Sequence, residues 1–200
     1  MIDRSELEPD LDEYGRVGYG KLARYSPIVL AAIMVAAIVF IAINQRDKKT
    51  TTREIIGQPA PNLTFTGFDG GTPTDLASMR GDVVVLNFWA SWCEPCRTEM
   101  PAFEAVHQSA GGDVRIIGVN IKNDRVENAT ELLAETGVTY QIARDDGGAN
   151  PLYGPIETAL GTGGSYPVTV VIRPDGVIDK VTVGPMDEAQ IRDAIEKARS

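Results

Sequence analysis

The chain has 200 residues, with 19 Lys and Arg against 28 Asp and Glu and a formal net charge of −9 at pH 7. Its length allows one ordinary domain and an appendage. From Glu54 onward the count is 11 basic to 21 acidic residues, and an acidic body argues against a nucleic-acid partner, which needs basic patches to neutralise phosphate.

Residues 1–26 are polar and acidic and read as a flexible tail. Ile28 to Ile43 is a run of 16 apolar residues, bounded by Pro27 and by Asn44-Gln45. At about 1.5 Å rise per residue it nearly spans a bilayer core, so residues 27–45 are expected to form one transmembrane anchor in the lipid bilayer. A cleaved signal peptide fits less well. The run is long for an apolar signal core, no A-x-A follows it, and an acidic lead precedes it. A buried core helix would show a polar face, and this run has none. Lys and Arg flank both ends, so loop charge does not settle the orientation. Residues 46–56 read as a polar tether, and 57–200 as the folded domain.

Gly57-Gln58-Pro59-Ala60-Pro61 suits an extended entry. Leu63 to Phe68 reads as a short strand, and Asp69-Gly70-Gly71 as the turn of a small hairpin. Asp75 to Met79 reads as a helical turn. Asp82 to Trp89 is the strongest strand, apolar on both faces and therefore central. Cys93 to Gln108 reads as a helix with Cys96, Met100, Phe103 and Val106 on one face, kinked at Pro101. Val114 to Ile121 is a second buried strand. Asp124 to Glu135 is a helix ended by Gly137, and Val138 to Ala143 a strand. Arg144 to Ser165 is loop-like, with a short helix near Ile156 to Leu160. Val168 to Ile172 and Val177 to Val183 form a hairpin around Arg173-Pro174-Asp175-Gly176. Asp187 to Arg199 is the last helix, with Asp187 and Gln190 in capping-box spacing. The alternation predicts an α/β fold with a parallel core finished by an antiparallel hairpin.

The chemistry concentrates in Cys93-Glu94-Pro95-Cys96, which holds the only two cysteines. A strand feeding a C-x-x-C at a helix start is the layout of a dithiol redox site. A zinc site needs four ligands, and the chain offers two Cys and His107, so no metal is expected. Cys93 sits where free N–H groups and the helix dipole favour a thiolate, and is the expected attacking sulfur. Cys96, one turn inside, can resolve a mixed disulfide. Pro95 falls in the first turn, where a missing N–H costs nothing. Glu99 shares a helix side with Cys96. Two readings stand for it: a proton relay to the buried thiol, or a solvated acid favoured by the dipole. Glu94 places negative charge beside the dithiol, which disfavours the thiolate and lowers the potential. Trp92 reads as a shield and docking surface or as an ordinary half-buried aromatic. Taken alone, Pro167 after Tyr166 reads as a strand-entry proline.

Phe88 to Pro101, FWASWCEPCRTEMP, resembles the membrane-anchored thioredoxin-like proteins of the TlpA, ResA and DsbE group. That group shares F-W-A-x-W-C-x-P-C-x-x-E-x-P, matched here at every fixed position. Gly57 to Pro61, Gly118-Val119-Asn120 and SYPVTVVIRPDGVI from Ser165 to Ile178 support the likeness. It implies a thioredoxin fold, a central mixed sheet flanked by helices, with an N-terminal β-hairpin and a strand–helix insertion between Cys96 and Pro167. It implies that Cys93 is the nucleophile, Cys96 the resolving thiol, Glu99 the acid near the dithiol and Pro167 a cis-proline. Trp92, Pro95 and Tyr166 are then expected to dock substrate. The resemblance further implies an extracytoplasmic domain and no cofactor. The expected partners are a client protein with a disulfide, such as apocytochrome c, and a membrane thiol-disulfide electron donor. In one departure, Gly163-Gly164-Ser165-Tyr166 stands before Pro167, which leaves the substrate open. Thiol oxidation is the alternative direction. A peroxiredoxin-like peroxidase fits less well, since its cysteine sits in P-x-x-x-T-x-x-C. A copper chaperone uses C-x-x-x-C with a distant His.

Overall fold

The computed structural model describes residues 31–37 and 54–200. Residues 31–37 are helical and exposed. The expected tail, the rest of the anchor over 27–45 and most of the tether lie outside the described residues. Among the described residues, no helix is long and apolar enough to cross a membrane.

The body enters along the outside of the C-terminal hairpin. Ala60 N–H donates to the Gly176 carbonyl at 2.9 Å, and Ile178 N–H to the Gln58 carbonyl at 2.9 Å, so the proline-rich segment is extended. Strands β1 (Thr64–Gly67) and β2 (Thr74–Asp75) form the small antiparallel hairpin, with Phe65 opposite Thr74. A single 3-10 turn, Leu76–Met79, follows and buries its two apolar ends. Strand β3 (Val83–Trp89) is buried at every residue. Helix α1 spans Glu94–Ser109, β4 Val114–Asn120, α2 Val126–Thr136 and β5 Gln141–Arg144. Then come α3 (Pro155–Leu160), β6 (Val168–Ile172), β7 (Ile178–Val183) and α4 (Glu188–Arg199).

The seven strands make one sheet in the order β2-β1-β5-β4-β3-β6-β7. β3, β4 and β5 run parallel, while β6 and β1 pair antiparallel on either side of them. The parallel core and the closing hairpin agree with the sequence reading. β5 and α3 lie in the stretch between Cys96 and Pro167 where a strand–helix insertion is expected, and β5 sits between β4 and the N-terminal hairpin.

Alternation along β3 divides the core. Val83 and Val85 pack with Phe103 and Val106 of α1 and with Ile191 and Ile195 of α4. Val84, Leu86 and Phe88 join a cluster that holds Leu132 of α2 and Ile156 and Leu160 of α3. Each such fully buried side chain contributes about 1.5–3 kcal/mol. Gly118 on β4 lies where a Cβ would come within 2.9 Å of Ile142, 3.0 Å of Tyr140 and 3.1 Å of the Trp89 indole nitrogen. A side chain at this position would make all three give way.

Two boundaries differ from expectation by more than one residue. β5 begins at Gln141 rather than Val138. Glu104 on α1 accepts from Thr139 N–H at 2.7 Å and from its hydroxyl at 2.7 Å, holding the segment before β5 against the helix. α2 begins at Val126 rather than Asp124, because the Asp124 side chain is engaged elsewhere. α1 runs on through Pro101, which is exposed.

Candidate active site

Cys93 is the N-cap of α1, and its sulfur accepts from Cys96 N–H at 3.2 Å. The two cysteines are joined in a disulfide with Cα atoms 5.2 Å apart. Cys96 is fully buried on the inner face of α1, and Cys93 is nearly so. Pro95 occupies the first turn, where no N–H is missed. A dithiol at a helix N-terminus can exchange with another disulfide, since the dipole favours the attacking thiolate there.

Glu94 lies differently from the sequence expectation. Its side chain is exposed and faces Arg97 at 3.6 Å, and Arg97 also binds Glu135. Water and the guanidinium therefore screen much of its charge. The acid that matters sits behind the cysteines.

Glu99 is only 2% exposed, which removes the solvated reading. Its Oε1 accepts from the Asn87 amide at 2.7 Å, and its Oε2 from Met186 N–H at 2.9 Å. Burial pushes its carboxyl up from 4.5 to about 7, against the opposing pull of the Met186 and Asn87 hydrogen bonds. Such an acid can take or give a proton near neutral pH. Asn87 comes from the middle of β3 and also reaches Thr169 at 3.3 Å. Met186 lies just after Gly184, whose N–H donates to the Pro167 carbonyl at 2.9 Å. One short segment thus touches both the acid and the proline.

The Tyr166–Pro167 peptide bond is cis. Trp92, immediately before Cys93, is 60% exposed and meets Tyr166 edge-on, with ring centroids 5.9 Å apart. Two of the expected docking residues, Trp92 and Tyr166, therefore lie together.

Four contributors were not foreseen from sequence: Asn87, Met186, Asp124 and Glu157. Asp124 organises the turn ahead of the disulfide. Its carboxylate accepts from Ser91 N–H at 2.6 Å, the Ser91 hydroxyl at 2.5 Å and the Asn120 amide at 2.8 Å. Glu157 is buried on α3 and accepts from the Tyr166 hydroxyl and, at 3.2 Å, from Gly154 N–H. Nothing in the local sequence marks the reach of Asp124 to Ser91, 33 residues earlier. A polar residue inside an otherwise apolar strand was the one available signal for Asn87.

His107 lies in the last turn of α1, edge-on to Tyr140 at 6.2 Å and about three turns from Cys96. The structure does not bring it to the cysteines.

The Redoxin family profile matches residues 55–196. The chain is 32% identical over 174 residues to thiol:disulfide interchange protein HelX of Rhodobacter capsulatus, covering 86% of this chain and 92% of that one. It is 31% identical over 155 residues to thiol:disulfide interchange protein DsbE of Escherichia coli, covering 76% and 78%. The crystal structure of a thiol:disulfide interchange protein of the thioredoxin family from Chlorobium tepidum matches with a TM-score of 0.60 at 27% identity, covering 70% of this chain and 94% of that one. With its disulfide at the start of a helix on a mixed sheet, the chain belongs to the Redoxin family, among the thioredoxin-fold thiol-disulfide oxidoreductases named ResA, DsbE and HelX.

Proposed function

We propose that this protein reduces disulfides in client proteins outside the cytoplasm, held to the membrane by residues 27–45. The observation that carries the direction is Glu99. A buried carboxyl near 7, one turn from Cys96, opposes ionisation of the buried thiol when charged. That stabilises the disulfide relative to the dithiol and makes the dithiol a reductant.

In the proposed reaction the Cys93 thiolate attacks one sulfur of the client disulfide. A mixed disulfide forms, and the other client sulfur leaves as a thiolate that takes a proton from water. The Cys96 thiol then gives its proton to Glu99 and attacks the Cys93 sulfur. The second client thiolate departs and is protonated. Two electrons have passed to the client, and Cys93–Cys96 is a disulfide again. A membrane thiol-disulfide carrier restores the dithiol. Trp92, Tyr166, Pro95 and Pro167 contact the client around Cys93. Apocytochrome c before haem attachment is the client class that the resemblance favours.

Thiol oxidation is the second reading. The screened position of Glu94 weakens the charge expected from sequence to disfavour the thiolate.

The test is a Cys96→Ala variant of the full chain mixed with an oxidised peptide carrying Cys-x-x-Cys-His. A covalent adduct released by dithiothreitol, absent from Cys93→Ala/Cys96→Ala, is expected. No adduct would overturn the assignment of Cys93 and the client class.

A further inference from the structure

We infer that Glu157, on the inserted helix, is a positioning residue for client docking: it holds Tyr166, and through Tyr166 the exposed Trp92, in place beside Cys93. The inference rests on the reading above that Trp92 and Tyr166 contact the client.

Three side chains form a continuous path. Glu157 is 1% exposed on α3. The Tyr166 hydroxyl donates to its Oε1. The Tyr166 ring meets the Trp92 ring edge-on at an interplanar angle of 76°. Trp92 adjoins the nucleophilic end of the disulfide.

The insertion is built to hold this acid still. Asp145, fully buried at the end of β5, accepts from Ile156 N–H at 2.9 Å and Glu157 N–H at 2.8 Å, which fixes the first turn of α3. The segment before Pro167 is seated on the same insertion. A Cβ at Gly163 would lie 2.5 Å from the Tyr153 ring, so only glycine lets this backbone rest on it.

A buried carboxylate is an expensive way to pack a short helix, and Ile156 and Leu160 already fill the core. A phenylalanine at 166 would supply the same ring to Trp92. What the acid–hydroxyl bond adds is direction: it fixes where the Tyr166 ring points. An aromatic pair fixed before the client arrives binds with less ordering cost.

The test uses the full chain in detergent micelles, reduced beforehand and mixed with excess synthetic peptide closed by a Cys-x-x-Cys disulfide. Initial rates against peptide concentration give a half-saturation concentration and a limiting rate. Glu157→Leu and Tyr166→Phe should each raise half-saturation about tenfold, the loss of one hydrogen bond to a charged group, and leave the limiting rate within about twofold. Glu157→Gln keeps an acceptor and should stay within about threefold of the parent. The double variant should be no worse than either single one, because both remove one interaction. Tyr166→Phe removes only a hydroxyl, so it carries the test if Glu157→Leu does not fold. Additive effects, or a fall in limiting rate at constant half-saturation, would overturn the inference. If Trp92→Ala raises half-saturation and Tyr166→Phe does not, the inference alone fails. If neither does, the docking reading fails and the inference with it.

Discussion

Asn87 and Glu99 are joined by a 2.7 Å hydrogen bond from the centre of the sheet to the helix that carries the disulfide. The bond ties the fully buried central strand to the buried acid on the helix that carries the redox pair. It gives Glu99 a fixed place in an apolar interior while leaving its proton exchangeable near neutral pH.

Glu99 couples stability to pH. Its carboxyl sits at about 7 in the fold against an ordinary 4.5, so between those values the folded chain holds more protons than the unfolded one. Stability should therefore fall as pH rises from about 4.5 to about 7 and stay level above, by about 3 kcal/mol in full. Denaturant unfolding of the oxidised protein across this range, beside Glu99→Gln, isolates the effect from that of other acids. The parent should lose stability relative to the variant over this window. Parallel curves would contradict the burial account.

Asn87→Ala should move Glu99 further up. The amide hydrogen bond favours the charged carboxylate, and its loss favours the protonated form. The same titration should show its inflection at higher pH, with a stability cost of about 1–3 kcal/mol at neutral pH. An inflection moving down would show that Asn87 does not act on the charge.

Asp124→Ala should loosen the turn that presents Trp92 and Cys93. It strips an acceptor from Ser91 N–H, the Ser91 hydroxyl, the Asn120 amide and Arg125 N–H. Orphaning such groups in a half-buried site should cost about 3 kcal/mol by urea unfolding. A loss under about 1 kcal/mol would mean that water replaces the carboxylate freely.

Gly118→Ala should destabilise by about 1–3 kcal/mol, since Ile142, Tyr140 and the Trp89 indole must all give way. Thermal unfolding reads this directly. A neutral result would show that these side chains repack.

Much of this was legible in the chain itself. The β-branched run Val83 to Val85 marked the central strand, and the C-x-x-C after it marked the redox pair. Glu99 was legible as a candidate because a spacing of three puts it on the Cys96 side of a helix. Its burial was not legible, since that depends on Asn87 and Met186 arriving from other elements. Asp124 shows the same limit. Beside Arg125 and Val126 it looks like a helix start, yet its side chain is taken by Ser91, 33 residues earlier. The start of β5 at Gln141 lies beyond the strand-like Val138 for a related reason. Val138 and Thr139 have strand-like side chains, but Glu104 on α1 captures Thr139 first. Glu157 lay unnoticed in a Gly- and Pro-rich stretch, because its partner is Tyr166 in the loop that the cis-proline closes. Local patterns report periodicity and caps; a polar contact between distant segments leaves no pattern of its own.

The most direct test of the central claim is the reduction potential of the Cys93–Cys96 couple, measured on the full chain in detergent against glutathione or thioredoxin. The account predicts a value near or below about −220 mV, toward the reducing end of the thioredoxin-fold scale. A value near about −120 mV, at the strongly oxidising end, would contradict it and make this protein a donor of disulfides.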